Sequence, residues 1–427
     1  MTIDIISEYF RNAFAVLNGF WLFSNIYNTY PFTKRLTKEE KYFESKEELP
    51  ISLLLPAYKE EKVIIKTIDN IEKTNYSKLE IILITEKDDF KTDRMSEYLS
   101  KKYKNIKHVS LENGGKKGKP TALNAGLSVA SGDIVGVIDA EDKIERNSLK
   151  KVSYEFLKNK YDCIQGILKL KESNGSWLDK QFAAEYEYWY GEYMKRINKS
   201  KYIMPFGGTT NFFKKDMLEK LQGWEEGNLT EDYELALRIN TGKEKGKYKI
   251  GYVNIITYEE TPKNLEAWMR QRTRWSQGKI NSTVKYLKKK DIKTKDRLKI
   301  VATGINSFIG TINIAGAAIS SYMYFGGIGM GYTAYVAYLN LSFIGFYSYM
   351  QGKSYNKILK EEPQKNRFIK SLFIGITTPA YWILQWTAEL RALYREIRKV
   401  NNWEKTMHYG TAYLKDKIND EEENAQR

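Results

Sequence analysis

The sequence predicts an α/β fold with a mostly parallel sheet, followed by a set of apolar helices. Residues 51–58 (ISLLLPAY) and 79–86 (LEIILITE) have the composition of buried strands, and residues 60–73 between them carry apolar side chains at helical spacing. The alternation continues to the strand DIVGVIDA, residues 133–140. Strands that alternate with helices form parallel sheets, and ligands bind where the carboxyl ends of such strands meet.

The elements between the second and the last of these strands follow the same order. A helix is expected around Arg94 to Lys102, a short strand near Lys107 to Ser110, and a second helix through Thr121 to Ser131. A loop rich in glycine and lysine precedes the second helix. The loops that follow successive strands should therefore line one crevice.

Composition narrows the chemistry that the chain can perform. The 427 residues suffice for two or three domains of roughly 150 residues each. A single cysteine, Cys163, and two histidines exclude a disulfide framework and a Cys/His zinc site, so a metal would be bound by carboxylates. A net charge of +16 suits nucleic acid, nucleotide diphosphates or an acidic membrane surface, and the aromatic share of 14% favours carbohydrate or membrane-interface contacts over nucleic acid.

The composition along the chain indicates four parts. The acidic start MTIDIISEYF lacks the basic region of a cleavable signal peptide. The parts are an interfacial or weakly spanning helix with a charged linker (1–48), the α/β catalytic domain (49–297), transmembrane or interfacial helices (298–400), and a last segment that ends in a disordered tail (401–427).

Three apolar runs beyond residue 297 favour a membrane location. Val301 to Gly327 contains no charged residue for 27 positions, and Tyr332 to Met350 is also uncharged. The third run, Ser371 to Trp386, is interrupted by Pro379, and for it a soluble core helix is an equal alternative. The basic loop Lys353 to Lys370 would lie in the cytoplasm together with the catalytic domain if the first two runs form a hairpin.

Two loops have the residue types of a nucleotide site. PAYKEE, Pro56 to Glu61, follows the first strand, and Glu86 ends the second, so backbone and carboxylate groups can meet a base or a ribose; a solvated acidic turn is the alternative. GGKKGKPTALN, Gly114 to Asn124, can bring lysines and helix-terminal N–H groups to a diphosphate. It lacks the ending of a P-loop.

Two acidic motifs are candidates for metal binding and base catalysis. In VIDAED, an apolar strand runs into Asp139 and Glu141, which can hold Mg²⁺ or Mn²⁺ together with a diphosphate; helix capping by Asp142 is the alternative. In TEDYELALRI, Glu231 and Asp232 begin a helix, where one carboxylate can act as general base. Any acidic helix start would give the same local pattern.

A basic helix precedes the first apolar run. In RQRTRWSQG, Gln271, Arg274 and Trp275 lie on one helix face, because residues three and four apart are neighbours there. An amide, a guanidinium and an indole on one face can bind a polymer end and a leaving phosphate. The alternative is an amphipathic helix that lies on lipid.

The order of these motifs resembles a known family. VIDAED, FGGTTNFF (Phe206 to Phe213), TEDYELALRI, QRTRW and the apolar runs, with NNWEKTMHYG (Asn401 to Gly410) at the end, are similar to the membrane-bound, inverting glycosyltransferases of family 2. This group contains cellulose, chitin and hyaluronan synthases. The resemblance extends from about Ser52 to Gly410, and its motifs are specific for the family but not for a sugar.

The resemblance implies a GT-A type, Rossmann-like fold, a nucleotide-sugar donor, usually a UDP-sugar, and Mg²⁺ or Mn²⁺. The implied donor-binding residues are Ala57, Tyr58, Glu60, Glu86, Lys119, Asp139, Gln271, Arg274 and Trp275. The implied metal ligands are Asp139 and Glu141, the catalytic residues Asp232 as base with Glu231, and the acceptor-binding residues Phe206, Gly207, Gly208, Thr209 and Trp275. Lys59 replaces the usual Asn, and Asp-Ala-Glu replaces Asp-x-Asp.

We therefore expect a hexosyltransferase that builds a β-linked polysaccharide at the cytoplasmic membrane, with its catalytic domain facing the cytoplasm. Single transfer to a lipid-linked acceptor is the alternative reaction, and a catalytically silent membrane protein that binds nucleotide or polyanion is the alternative class. The expected partners are the donor, a carbohydrate or lipid-linked acceptor and membrane lipid, with no nucleic acid. Three apolar runs are few for a translocation channel, so a second copy or an export partner would help to move a polymer.

Overall fold

The computed structural model describes residues 19, 21–33, 47–112, 118–171, 175–200, 202–327 and 330–400. Several predicted features lie outside the described residues. They are most of the predicted N-terminal helix and its linker, the first part of the glycine- and lysine-rich loop, the NNWEKTMHYG segment and the tail.

The described residues form an eight-stranded sheet with the order β3-β2-β1-β4-β7-β6-β8-β5. Its strands are β1 (Ile51–Pro56), β2 (Leu79–Glu86), β3 (Ile106–Leu111), β4 (Ile134–Val137), β5 (Lys143–Ile144), β6 (Cys163–Lys171), β7 (Asn211–Lys214) and β8 (Ile250–Glu260). The first four are parallel, as predicted. The rest of the sheet is mixed, because β7 runs antiparallel to both β4 and β6, and the expectation of a mostly parallel sheet holds only for that first half.

The helices flank the sheet and extend beyond it. They are α1 (21–29), α2 (Ile64–Glu72), α3 (Phe90–Lys102), α4 (Lys119–Val129), α5 (Ser148–Lys158), α6 (Trp177–Tyr186), α7 (Met194–Ile197), α8 (Lys215–Lys220), α9 (Glu231–Asn240), α10 (Leu265–Lys288), α11 (Thr294–Ile305), α12 (Ile309–Phe325), α13 (Met330–Ile358) and α14 (Gln364–Ile397). A π-helical segment, Glu187–Tyr193, joins α6 to α7.

The sheet is buried on both faces, which makes the domain a three-layer structure. In β1, Leu53 and Leu55 belong to the core under α2, α3 and α5, whereas Leu54 between them belongs to the core under α4 and α6. Successive side chains of a strand point to opposite faces, so a strand that is apolar throughout must be covered twice. Burial of each such leucine contributes about 1.5–3 kcal/mol.

The C-terminal helices differ from the continuous apolar spans that were expected. A 3-10 turn at Asn306–Phe308 divides the run Val301 to Gly327, and α11 and α12 meet there at 84°. Taken together this bent pair has the length and composition of a membrane span, but no single helix of the described residues has both. α14 continues through Pro379, and α13 approaches it so closely that a Cβ on Gly352 would lie 2.7 Å from the Ser371 carbonyl oxygen.

Candidate active site

A cavity of about 430 Å³ lies at the carboxyl ends of the parallel strands. The loops after β1 and β4 and the end of β2 form one wall, and α10, the π-helical segment and α12 to α14 form the opposite wall. Every site residue predicted above borders this cavity: Ala57, Tyr58, Glu60, Glu86, Lys119, Asp139, Glu141, Phe206, Gly207, Gly208, Thr209, Glu231, Asp232, Gln271, Arg274 and Trp275. Residues up to 218 positions apart in sequence, from Ala57 to Trp275, therefore share one space.

The backbone after β1 shapes the end of the cavity where the sequence predicts nucleotide contacts. Ala57 N–H donates to the Ile84 carbonyl oxygen at 2.8 Å, and Glu60 N–H donates to Thr92 Oγ1 at 3.0 Å. Lys59 has a φ of 57°, and its N–H donates to the Asp89 carboxylate. Asn is enriched in this left-handed region and Lys is not, so the departure at Lys59 falls where the backbone favours the usual residue.

Lys119 connects two sequence motifs of the cavity, because its ammonium donates to the Asp139 carboxylate and, at 2.8 Å, to the Gly208 carbonyl oxygen. Burial alone would lower the pKa of Lys119, but Asp139 and Glu231 outweigh it and the pKa is raised. A Cβ on Gly208 would lie 3.5 Å from Lys119 Nζ and 3.8 Å from Asp232 Oδ2. Lys119, which is paired with Asp139, and Asp232 therefore meet at the same glycine.

A buried network holds the Phe206 to Thr209 loop against the end of β4. Gly207 N–H donates to Gln165 Oε1 at 2.7 Å, and Asn211 Nδ2 donates to the Gly207 carbonyl oxygen at 2.5 Å. Thr209 Oγ1 donates to Asp142 Oδ2 at 2.5 Å. Asp142 is fully buried, and burial raises its pKa, so it anchors the loop and does not cap a helix.

The carboxylates Asp139 and Glu141 fit a divalent cation that takes its other ligands from a diphosphate. Both border the cavity, and the described residues contain no group of three or more His, Cys, Asp or Glu side chains placed to hold a metal by themselves. Mg²⁺ usually binds through one or two carboxylates together with substrate phosphates and water. The donor set is therefore suited to a cation that arrives with its nucleotide.

Glu231 and Asp232 begin α9 but lie in different surroundings. Glu231 is buried, and burial followed by the charge of Asp232 raises its pKa to about 7. Asp232 is partly open to the cavity, and its Oδ1 accepts a hydrogen bond from Tyr233 N–H at 2.7 Å. Burial also raises the pKa of Asp232. Of the two carboxylates, Asp232 has the better access to a substrate hydroxyl.

Two arginines of the basic helix α10, Arg272 and Arg274, border the cavity and are not presented to lipid. Arg272 forms a two-point ion pair with Glu185 of α6 and donates to Tyr381 of α14 at 3.1 Å. Burial lowers the pKa of Arg274, and the charges of Glu231 and Asp139 oppose that shift. Arg272 is therefore held by a packing contact, whereas Arg274 lies within the influence of the cavity carboxylates. We call Lys119, Asp139, Glu141 and Arg274 the ionic side of the cavity.

The opposite wall is aromatic, and the motifs above include only one of its residues. Its members are Tyr186, Trp189, Tyr190, Trp275 and Trp382, here called the aromatic side. The ring centroids of Tyr186 and Tyr190 are 5.4 Å apart, and those of Tyr186 and Trp275 are 6.4 Å apart. Five of the eight residues in YEYWYGEY (186–193) are aromatic, a signal that could have found this wall, and π-helical turns are frequent at functional sites.

Two further charged residues of the cavity lie in none of the sequence motifs described above. Lys279, one helical turn beyond Trp275, lies with its Nζ 5.7 Å from the ring centroid of Trp189. Burial lowers its pKa to about 8, and Asp232 opposes that shift. Glu259 near the end of β8 is placed beside Tyr186, and burial, followed by the charges of Asp139 and Glu141, raises its pKa to about 8.

Comparison with known proteins identifies relatives of this chain. The family model described as "Glycosyltransferase like family 2" matches residues 49–278, more than half of the 427 residues. The probable glycosyltransferase YdaM of Bacillus subtilis is 27% identical over 390 residues, which cover 86% of this chain and 89% of that protein.

Two further relatives match over shorter stretches. The poly-beta-1,6-N-acetyl-D-glucosamine synthase of Staphylococcus epidermidis is 27% identical over 61% of this chain, and the match spans 62% of that protein. The beta-monoglucosyldiacylglycerol synthase of a Synechocystis species is 26% identical over 53% of this chain and 47% of its own length. Among solved structures, the mannosyltransferase PcManGT from Pyrobaculum calidifontis, in complex with GDP-Man and Mn²⁺, has a TM-score of 0.56 at 17% identity, covering 90% of this chain and 99% of that one.

Proposed function

Because the chain belongs to glycosyltransferase-like family 2 and is a glycosyltransferase, we propose that it transfers a sugar with inversion from a UDP-sugar to an acceptor hydroxyl. Its catalytic domain has a GT-A type α/β fold. The observation that carries the proposal is the meeting of Lys119, with its partner Asp139, and Asp232 at Gly208, beside Trp275 in the same cavity. This arrangement supports a diphosphate and a base on two sides of one reacting carbon.

The proposed reaction is a direct displacement. The acceptor oxygen attacks the anomeric carbon from the side opposite the diphosphate, and the bond to the diphosphate oxygen breaks as the new C–O bond forms. Asp232 takes the proton of the acceptor hydroxyl, and the electron pair leaves with UDP. Inversion of an α-linked donor gives a β-linked product.

The ionic side would stabilise the leaving group. Lys119 and Arg274 are placed to receive the negative charge that develops on the diphosphate, since both lie among the carboxylates of the cavity. A divalent cation held by Asp139 and Glu141 would supply further charge neutralisation there. The Mn²⁺ in the similar mannosyltransferase structure supports the choice of Mg²⁺ or Mn²⁺ for this chain.

Growth of a β-linked polysaccharide is the preferred form of the reaction. The aromatic side extends from Trp275 to Trp382, and stacked aromatic faces suit successive sugar rings. The match to a polysaccharide synthase also favours a polymer, whereas the match to a monoglucosyldiacylglycerol synthase favours single transfer to a lipid acceptor.

We place the protein at the cytoplasmic membrane, with the catalytic domain in the cytoplasm. Large apolar side chains of the C-terminal helices support this, because Tyr322, Phe325 and Ile376 are 78%, 85% and 69% exposed. Contiguous exposed apolar surface is typical of membrane or protein interfaces. Flotation of the full chain with vesicles of anionic phospholipid tests the location, and a protein that stays at the bottom of the gradient would contradict it.

Release of UDP tests the reaction itself. The full chain should release UDP from at least one of UDP-glucose, UDP-GlcNAc, UDP-galactose and UDP-glucuronate when Mg²⁺ or Mn²⁺ is present. With a radiolabelled donor, a ladder of products on a gel supports polymer growth, and one added sugar supports single transfer. Absence of UDP release from the whole panel, for protein that binds neither UDP nor Mn²⁺, would reject the proposal.

A further inference from the structure

Glu259 is a carboxylate of the cavity to which the reaction described above gives no task. It is the next-to-last residue of β8 and is paired in register with Leu170 of β6. Its Oε2 accepts a hydrogen bond from the Tyr186 hydroxyl at 3.3 Å. The carboxylate therefore keeps acceptor capacity that faces the cavity.

The surroundings of Glu259 locate it between the two functional ends of the site. Besides burial, the charges of Asp139 and Glu141 raise the pKa of Glu259. Burial also raises the pKa of the Tyr190 hydroxyl, and the charges of Glu259 and Asp232 raise it further. A Cβ on Gly207 would collide with that same hydroxyl, so Tyr190 rests directly on the glycine loop.

The sugar of the donor must occupy this space if the proposed reaction is correct. Its anomeric carbon is bonded to the diphosphate at Asp139 and faces the base Asp232. The Phe206–Thr209 loop, Tyr190 and Glu259 are then among the groups that border the rest of the ring. Tyr190 supplies an aromatic surface, and Glu259 supplies a hydrogen-bond acceptor.

We propose that Glu259 recognises the donor sugar, with its carboxyl group forming hydrogen bonds to ring hydroxyls of a hexose and Tyr186 holding it in position. This inference rests on the proposed function. With its pKa raised to about 8, the carboxyl group is largely protonated at neutral pH, so it can donate one hydrogen bond as well as accept. A donor that lacks the matching hydroxyl would leave this group unpaired.

Donor analogues that lack one ring hydroxyl provide the test. UDP-sugars of the preferred hexose with a single deoxy position are compared in wild type, Glu259→Ala and Glu259→Gln, with kcat/KM from UDP release. Wild type should lose about 10-fold or more with one of the analogues, since an unpaired polar group is left behind. Glu259→Ala should be slower with the parent donor and should treat that analogue and the parent alike.

Binding of UDP without a sugar separates this role from a role in metal or diphosphate binding. In both variants the Kd of UDP with Mn²⁺ should stay within about threefold of wild type, which also shows that the variants are folded. Equal weakening of UDP and of the UDP-sugar would overturn the inference. So would a Glu259→Ala enzyme that discriminates against the deoxy analogue as strongly as wild type does.

Matched variants distinguish recognition from a general effect on the strand. Glu260→Gln changes the neighbouring buried carboxylate of β8, which does not border the cavity, and it should leave donor discrimination unchanged. Tyr186→Phe removes the hydroxyl that holds Glu259, and it should show the same loss of discrimination to a smaller degree. A loss of discrimination in Glu260→Gln equal to that in Glu259→Gln would contradict the assignment.

The amide in Glu259→Gln adds a readout that a structural role would not move. Glu259→Gln keeps one acceptor oxygen and one donor, so it should lose less donor discrimination than Glu259→Ala. A Glu259→Gln enzyme that loses more discrimination than Glu259→Ala would contradict recognition by hydrogen bonds. If wild type releases UDP from no donor, the proposed function fails, whereas turnover with unchanged discrimination in the variants refutes only the role of Glu259.

Discussion

The ionic side and the aromatic side of the cavity are built in different ways. On the ionic side, Asp139 and Glu141 closely follow the parallel strand β4, and Lys119 is the first residue of α4. Each of them lies in a motif of a few residues. Tyr186, Trp189 and Tyr190 come from a π-helical segment, and Trp382 comes from α14, more than 190 residues later in the chain. The ionic side therefore depends on local backbone geometry, whereas the aromatic side depends on how the C-terminal helices pack on the domain.

Hydrogen bonds between α6 and the C-terminal helices show how the aromatic side depends on their packing. Gln181 of α6 donates to the Ile374 carbonyl oxygen of α14 at 2.9 Å, and Gln351 of α13 donates to the Gln181 carbonyl oxygen at 3.0 Å. The Arg272–Glu185 pair adds a link from α10 to α6. A change in the C-terminal helices should thus alter the aromatic side and leave the ionic side intact.

Loss of the base should have the largest effect and should leave the ionic side unaffected. Asp232→Asn should lower the rate of UDP release in the presence of acceptor by about 10²–10⁴-fold, because the proton of the acceptor hydroxyl then has no base. The Kd of UDP should remain within a few-fold of wild type. Asp216→Asn, at an exposed position on α8, is the control. Comparable turnover in Asp232→Asn would remove Asp232 from this role.

The buried carboxylate Glu231 should make the folded protein less stable at neutral and higher pH than at acidic pH. Its pKa of about 7 in the folded protein lies above its ordinary value of 4.5. Between these values the folded state retains a proton that the unfolded state releases, so the free energy of unfolding falls as pH rises from 4.5 to 7. Glu231→Gln lacks that fall and should be more stable than wild type at pH 8, on the order of 1–3 kcal/mol.

Urea unfolding at pH 5 and pH 8, without metal or nucleotide, measures this difference. The advantage of Glu231→Gln over wild type should be larger at pH 8 than at pH 5. A variant whose advantage is the same at both values would show that Glu231 does not titrate as its burial implies.

Removal of one ring from the aromatic side should change products more than donor binding. Trp189→Ala should raise the KM for the acceptor, or shorten the product ladder, by about 3- to 10-fold, since one stacking surface is lost. The Kd of UDP should be unchanged, because Trp189 contacts Lys279, which is not among the residues proposed to bind the diphosphate. Weaker UDP binding in Trp189→Ala would show that the two sides are not independent.

The backbone at Lys59 should give the smallest effect. Lys59→Gly removes a side chain from a residue with a φ of 57°, and it should stabilise the fold by about 1 kcal/mol. A melting temperature at or below that of wild type would mean that the Lys59 side chain, 5.2 Å from the Tyr58 ring centroid, compensates the backbone cost.

Much of the ionic side could be predicted from sequence because strand periodicity sets where motifs lie. LEIILITE is the strand β2 over its full length, and the residues predicted at the ends of β1, β2 and β4 do lie together in the cavity. The alternation of apolar strands and helices is a local signal, and the topology of parallel strands converts it into proximity.

The remaining features depend on contacts between distant residues. Glu259 lies in no sequence motif. Only its contact with Tyr186 and its place near the Phe206–Thr209 loop distinguish it. The run Val301 to Gly327 is apolar throughout, yet the chain turns within it at Asn306–Phe308, where Asn306 and Ile309 border the cavity. Hydropathy records the absence of charge and does not record a turn of this kind.

The binding position of a divalent cation shows whether the ionic side holds the diphosphate opposite the base. Crystals of the full chain with UDP and Mn²⁺, measured at a wavelength with anomalous scattering from manganese, would locate the ion. We expect one peak between the UDP phosphates and the carboxylates of Asp139 and Glu141, with Asp232 left without metal across the sugar space. A peak coordinated by Glu231 and Asp232, or UDP bound outside this cavity, would contradict it.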